Sequence, residues 1–177
     1  MRKNKMTIAI LGCIGIFLIA AMLIVPAAQA GGKTVKYKMA APVTKMEVVP
    51  APDVKGHVVG VLERRGVAIF ENGETAAYHS MIIFDSIKGQ GASWNGYSEL
   101  SYADGSTTIA KIHGTAPVVK GVKLVKGTGE YIKGTGRFEG IKGEVSFNGK
   151  IVTPYTKDAT KHDLVGDVTS TYTLPKK

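Results

Sequence analysis

Cysteine is almost missing from this chain: the one thiol, Cys13, lies in the first thirty residues. A disulfide framework is therefore excluded, and stability has to come from packing and sheet closure. Acidic residues are scarce too, 14 against 23 lysines and arginines. No His-x-His, His-x-x-x-His or clustered carboxylate occurs, so neither a metal nor another cofactor is expected. There is no Gly-x-Ser-x-Gly elbow for a nucleophilic serine, and no glycine loop is followed by Gly-Lys-Ser/Thr to cradle phosphate. Aromatics make up 7% of residues, with a single tryptophan. With neither an arginine stripe nor an aromatic platform, nucleic acid is not an expected partner. Beyond the N-terminus no segment sustains a helical period.

What is present begins with an export signal. Arg2, Lys3 and Lys5 precede an uncharged apolar run over residues 7–25, and Ala28-Gln29-Ala30 then supplies a small-x-small cleavage site. This is the grammar of a secretory signal peptide over residues 1–30. The run is also long enough to serve as an uncleaved N-terminal membrane anchor, the alternative reading. Export to the periplasm or the extracellular space is expected, with membrane contact only through this segment. Cleavage would lower the formal charge from +9 by three. The remaining lysines are spread thinly, as on a solvated surface.

Residues 31–55 read as an N-terminal arm punctuated by Pro42, Pro50 and Pro52, and residues 56–177 as one domain. Residues 57–63 are β-branched and predict a strand, interrupted by Arg64-Arg65-Gly66 and resumed at 67–70. Asn72-Gly73 and Asp104-Gly105 are hairpin signals. Residues 75–87 place Tyr78, Ile82 and Phe84 on one face and Met81 and Ile83 on the other, so both faces need cover. No amphipathic helix is available to give it, and a second subunit is the expected cover. Residues 89–96 read as a loop, 97–103 and 107–115 as strands, and 117–125 as a connector. Glycines crowd residues 126–143, which reads as a glycine-pinned turn. From Ile141 the pattern alternates strictly, with Val145, Phe147 and Ile151 on its face and Lys142, Glu144, Ser146, Asn148 and Lys150 opposite. Residues 154–162 read as a polar loop and 163–174 as a final strand. About eight strands without helices predict an all-β fold, a small antiparallel eight-stranded β-barrel.

The block Gly134-Thr135-Gly136-Arg137-Phe138-Glu139-Gly140-Ile141-Lys142-Gly143-Glu144-Val145 resembles the glycine-rich block of allene oxide cyclases and dirigent proteins. Leu62-Glu63-Arg64-Arg65-Gly66 is similar to the Asn-Glu-Arg-x-Arg segment of the cyclases. The resemblance implies an eight-stranded barrel, commonly trimeric, whose interior holds a hydrophobic small molecule. It departs from the cyclases at two positions: Gly60 falls where they carry their proposed catalytic glutamate, and Leu62 where they carry asparagine.

Site candidates follow from parity. If Val59 and Val61 face the lumen, Glu63 and His57 lie near its rims, where Glu63 could act as acid or base. Equally, Glu63 reads as one half of a salt bridge. His113 and Lys111 share a face that could orient a polar group. Tyr78, Phe84, Tyr102 and Phe147 are candidates for an apolar pocket or an ordinary core. The leading expectation is an exported barrel that binds a lipid, isoprenoid or phenolic. The alternative is a cyclase, isomerase or dirigent-like guide of an intramolecular reaction. In either case a homo-oligomer, such as a trimer, is expected.

Overall fold

Strict alternation over Lys142–Ile151 turns Val145, Phe147 and Ile151 inward and every intervening lysine, glutamate, serine and asparagine outward. This is the period of two that a half-buried strand requires. The computed structural model describes residues 32–153 and 162–176. In chain order its strands are β1 (Lys33–Ala41), β2 (Val43–Pro50), β3 (His57–Phe70), β4 (Thr75–Ile87), β5 (Gly91–Tyr102), β6 (Thr107–Thr115), β7 (Val118–Val119), β8 (Val122–Gly134), β9 (Lys142–Ile151) and β10 (Leu164–Thr173). Among the described residues the one helical element is a 3₁₀ turn at Gly136–Phe138.

All pairings are antiparallel, and sequential strands are neighbours around the sheet. Closure comes from β1, which pairs along its whole length with β10 and, through Tyr37–Ala40, with the end of β3. β2 continues β1 past Pro42 and pairs with the first half of β3. Counted as one bent strand, β1 and β2 complete a closed eight-stranded antiparallel barrel, with β7 folded back on β8 as a side hairpin. Closure removes most of the unpaired edge that strands of this length would otherwise present.

Four expectations need correction. The stretch read as an N-terminal arm, 31–55, instead contributes the strands that shut the barrel; its proline at 42 marks a corner rather than a loose lead-in. Arg64-Arg65-Gly66 does not interrupt β3, which runs unbroken for 14 residues. At Gly66 the backbone of Ala40 and Ala41 comes so close that a Cβ would collide with it. Here glycine permits a crossing of strands, not a break. Ser93-Trp94-Asn95-Gly96 is strand rather than loop. Finally, residues 126–134 of the glycine-rich block are not a turn but most of β8. The turn comes after it, at Gly136 and Gly140, whose φ of 59° and 74° are positive. The signal segment lies outside the described residues, as does most of the loop expected at 154–162.

Candidate functional site

The bore has two different ends. At the end carrying the 71–74 and 103–106 turns, aromatic side chains fill it. Ring centroids run Tyr37–Phe70 at 4.7 Å, Phe70–Tyr102 at 5.9 Å, Tyr102–Phe138 at 4.8 Å and Phe138–Tyr172 at 6.0 Å, with Tyr131 edge-on to Tyr172. Each such pair contributes about 0.5–1.5 kcal/mol beyond the area it buries. Arg137 lies over Tyr102 and Phe138, 4.6 and 4.9 Å from their centroids. Glu74 and Asp104 both pair with its guanidinium from the rim. The Tyr131 and Ser170 hydroxyls, 2.6 Å apart, satisfy one another beneath the plug.

Beyond the plug the bore opens into a cavity of about 310 Å³, within the range of small-molecule sites. Tyr37, Met39, Tyr78 and Val168 line its inner part; Ile82, Phe84, Trp94, Ile112, Val145 and Phe147 line its walls; Met46, Val48 and Val58 flank its mouth. The large rings fit because glycines face them across the strands. The ring of Phe84 lies where a Cβ on Gly60 would be, that of Trp94 where Cβ atoms on Gly114 and Gly127 would be, and that of Phe147 against Gly149 and Gly166. Alternating small and large residues is how small barrels fill or shape their interiors. The indole Nε1 of Trp94 and the hydroxyl of Ser80 are buried without a hydrogen bond of good geometry, although the Tyr78 phenol is close enough to Ser80 to feel it.

Three basic side chains line this mainly apolar chamber, Arg64, Lys123 and His162, together with the hydroxyls of Ser80, Ser86, Ser98 and Thr128. Arg64 occupies the middle of β3, on the inward parity shared by Ala68 and Phe70. Only 7% of it is exposed. Its Nη1 donates to the carbonyl oxygens of Ala41, at 3.0 Å, and His162. Burial pulls its pKa down to about 10, against weaker support from Tyr78 and Asp163. Lys123 is pushed down by burial and then by repulsion from Arg64. The His162 imidazole is likewise held below its ordinary value by burial, then by Lys123 and Arg64. Among the described residues no carboxylate forms an ion pair with Arg64 or Lys123. None of the inward positions of β1–β10 is an aspartate or glutamate.

The candidates chosen by parity divide accordingly. Tyr78, Phe84 and Phe147 line the chamber, whereas Tyr102 belongs to the plug. Glu63 and His57 are on the outer face, because β3 presents its even-numbered residues inward and leaves Val59 and Val61 exposed. Glu63 sits 3.7 Å from the Nε2 of His79, and its placement outside removes it from any chemistry in the lumen. His57 bridges two carboxylates, Asp53 at 2.6 Å through Nδ1 and Asp85 at 2.9 Å through Nε2. Both bonds raise its pKa, that to Asp53 most. His113 is also external, its Nε2 3.4 Å from the Thr128 hydroxyl, and Lys111 is exposed beside it. Arg64, Lys123 and His162 escaped the sequence reading. Arg64 was legible in principle, since it shares parity with Ala68 and Phe70. Among the described residues no group of three potential metal ligands gathers.

No known protein family matches this chain, and no relative is found among curated proteins.

Proposed function

We propose that this protein is an exported barrel that binds a hydrophobic small molecule, a lipid, isoprenoid or phenolic, in its lumen. The observation that carries the reading is the unfilled chamber of about 310 Å³ behind the aromatic plug. Its walls are held apart by glycines under Phe84, Trp94 and Phe147. A barrel needing only a core would fill that space, since cavities cost stability. Native mass spectrometry of the purified protein, together with solvent extraction, tests the proposal. A co-purifying apolar molecule, or saturable quenching of Trp94 by an added one, is expected. A protein that carries nothing and whose Trp94 responds to no apolar probe would refute it.

A second reading, a dirigent-like or cyclase-like guide, is favoured by the placement of Tyr78 and Arg64 side by side in the chamber, where they could orient a reactive guest and exclude water. In that case the pair, rather than Glu63, carries the role. The exposed apolar stripe of Val49, Val59, Val61, Met81, Ile83 and Tyr97 on the outside of β2–β5 supports a homo-oligomer, since such patches mark contact surfaces. Ile83→Lys should reduce the oligomer on analytical ultracentrifugation. It should change the stability of the isolated barrel by no more than about 0.5 kcal/mol.

A further inference from the structure

The chamber is apolar in its walls and cationic on one side, and that asymmetry bears on the guest. Arg64 comes from β3, Lys123 from the start of β8 and His162 from the lead-in to β10, so three separate parts of the chain bring basic groups to one cavity. A buried cation is costly unless an anion answers it. Nearby Asp163 favours the charged form of Arg64, after burial and Tyr78, yet forms an ion pair with neither Arg64 nor Lys123 among the described residues. The two bonds of Arg64 to the carbonyls of Ala41 and His162 both leave from Nη1. They fix the plane of the guanidinium and leave Nε and Nη2 without a bond among the described residues. A planar guanidinium held this way, with an ammonium lining the same space, fits a carboxylate that takes two N–H bonds from one and a third from the other.

We infer that the guest is an amphipathic monoanion, an apolar body lodged against Phe84, Trp94 and Phe147 with one carboxylate turned to Arg64 and Lys123. The inference rests on the proposal that the lumen binds a small molecule, and it narrows that proposal by charge. Neutral guests of the same shape leave both cations unanswered, and an amine adds a third positive charge.

Trp94 is the only tryptophan in the chain and part of the chamber wall, so its fluorescence reports occupancy directly. The full exported chain is titrated with decanoate, decanol and decylamine, and with cinnamate as an aromatic acid. Decanoate or cinnamate should bind about 10- to 100-fold more tightly than decanol, the worth of charge-assisted hydrogen bonds, and decylamine should bind worst. Which acid binds better separates a linear from an aromatic guest, and either result supports the inference. Lys123→Met should reduce the preference for acid over alcohol several-fold, the remainder being the share that Arg64 holds, and Lys123→Arg should retain it in full. Arg64→Met should act in the same direction; if it does not fold, the Lys123 pair still decides. Decanol binding as tightly as decanoate would overturn the charge assignment and leave lumen binding standing. Failure of every probe to reach Trp94 would overturn both.

Discussion

Arg137 and Arg64 are the same side chain in opposite situations, one at each region of the bore. Arg137 sits at the plugged end, partly exposed, stacked on two rings and paired with Glu74 and Asp104. Its pKa is raised, first by the bond to Glu74. Arg64 is buried in the chamber, bonded among the described residues to backbone carbonyls alone, and its pKa is lowered by the burial. The difference teaches how to read a cation in a barrel. Paired and wet, it fastens neighbouring turns over a hydrophobic seal. Buried without an ion pair among the described residues, it costs stability that only an answering anion would offset.

The contrast can be broken most forcefully at the plug. Phe138→Ala removes the ring that links Tyr102 to Tyr172 and lies under Arg137. It should cost about 3–5 kcal/mol in chemical denaturation; a loss under 1 kcal/mol would mean that the seal is not a unit. Gly127→Val acts on the chamber instead. Its side chain would enter the space taken by the Trp94 ring, costing about 1–3 kcal/mol through overpacking. Trp94 emission should shift to the red as the indole moves toward water, and unchanged emission would contradict the contact.

Next comes the sharpest form of the comparison, a pair of cation deletions. Arg137→Met should destabilise by about 1 kcal/mol, the worth of a cation–π contact with partly exposed ion pairs. Lys123→Met should stabilise the empty barrel by a comparable amount, because it removes a charge that burial and Arg64 both disfavour. Thermal melts of the two variants should therefore move in opposite directions. The smallest effect belongs to the 51–56 loop at the chamber end, held by His57 between Asp53 and Asp85. The His57 pKa is raised and that of Asp53 lowered. The His57 contribution is thus full below the ordinary histidine pKa of about 6.5 and fades as pH rises through the raised value. The Asp53 contribution fades at the acid end, as pH falls through its lowered value. The protection factors of the 51–56 amides, with the intrinsic base-catalysed rate divided out, should fall above neutral pH in the native chain and show no such fall in His57→Gln.

The strands were legible where one face differs plainly from the other. β9 shows its alternation in the residue types themselves, and the two-sided greasiness of β4 is present as read, with Tyr78 and Ile82 buried and Met81 and Ile83 exposed. β3 defeated the same logic because Val58 and Leu62 are as apolar as Val59 and Val61. Its parity was set by partners distant in sequence, and choosing the wrong face carried Glu63 and His57 into the lumen. Glycines 127 and 129 read as turn-formers because the side chains that need their bare backbones, Trp94 and Ile112 among the neighbours, come from other strands. The cationic side of the chamber was hidden by a sound rule, that lysine and arginine face water. Departures from such a local rule are expected at functional or strained positions.

The pairing of β1 with β10 has a consequence for how the molecule is made. Lys33 meets Tyr172 and Ala41 meets Leu164, so β1 finds its full-length neighbour only after β2 to β9 have been made. Until then it has only the four-residue contact with β3. A contact of such long range is slow to form, and a chain lacking β10 would have neither a cylinder nor an inside.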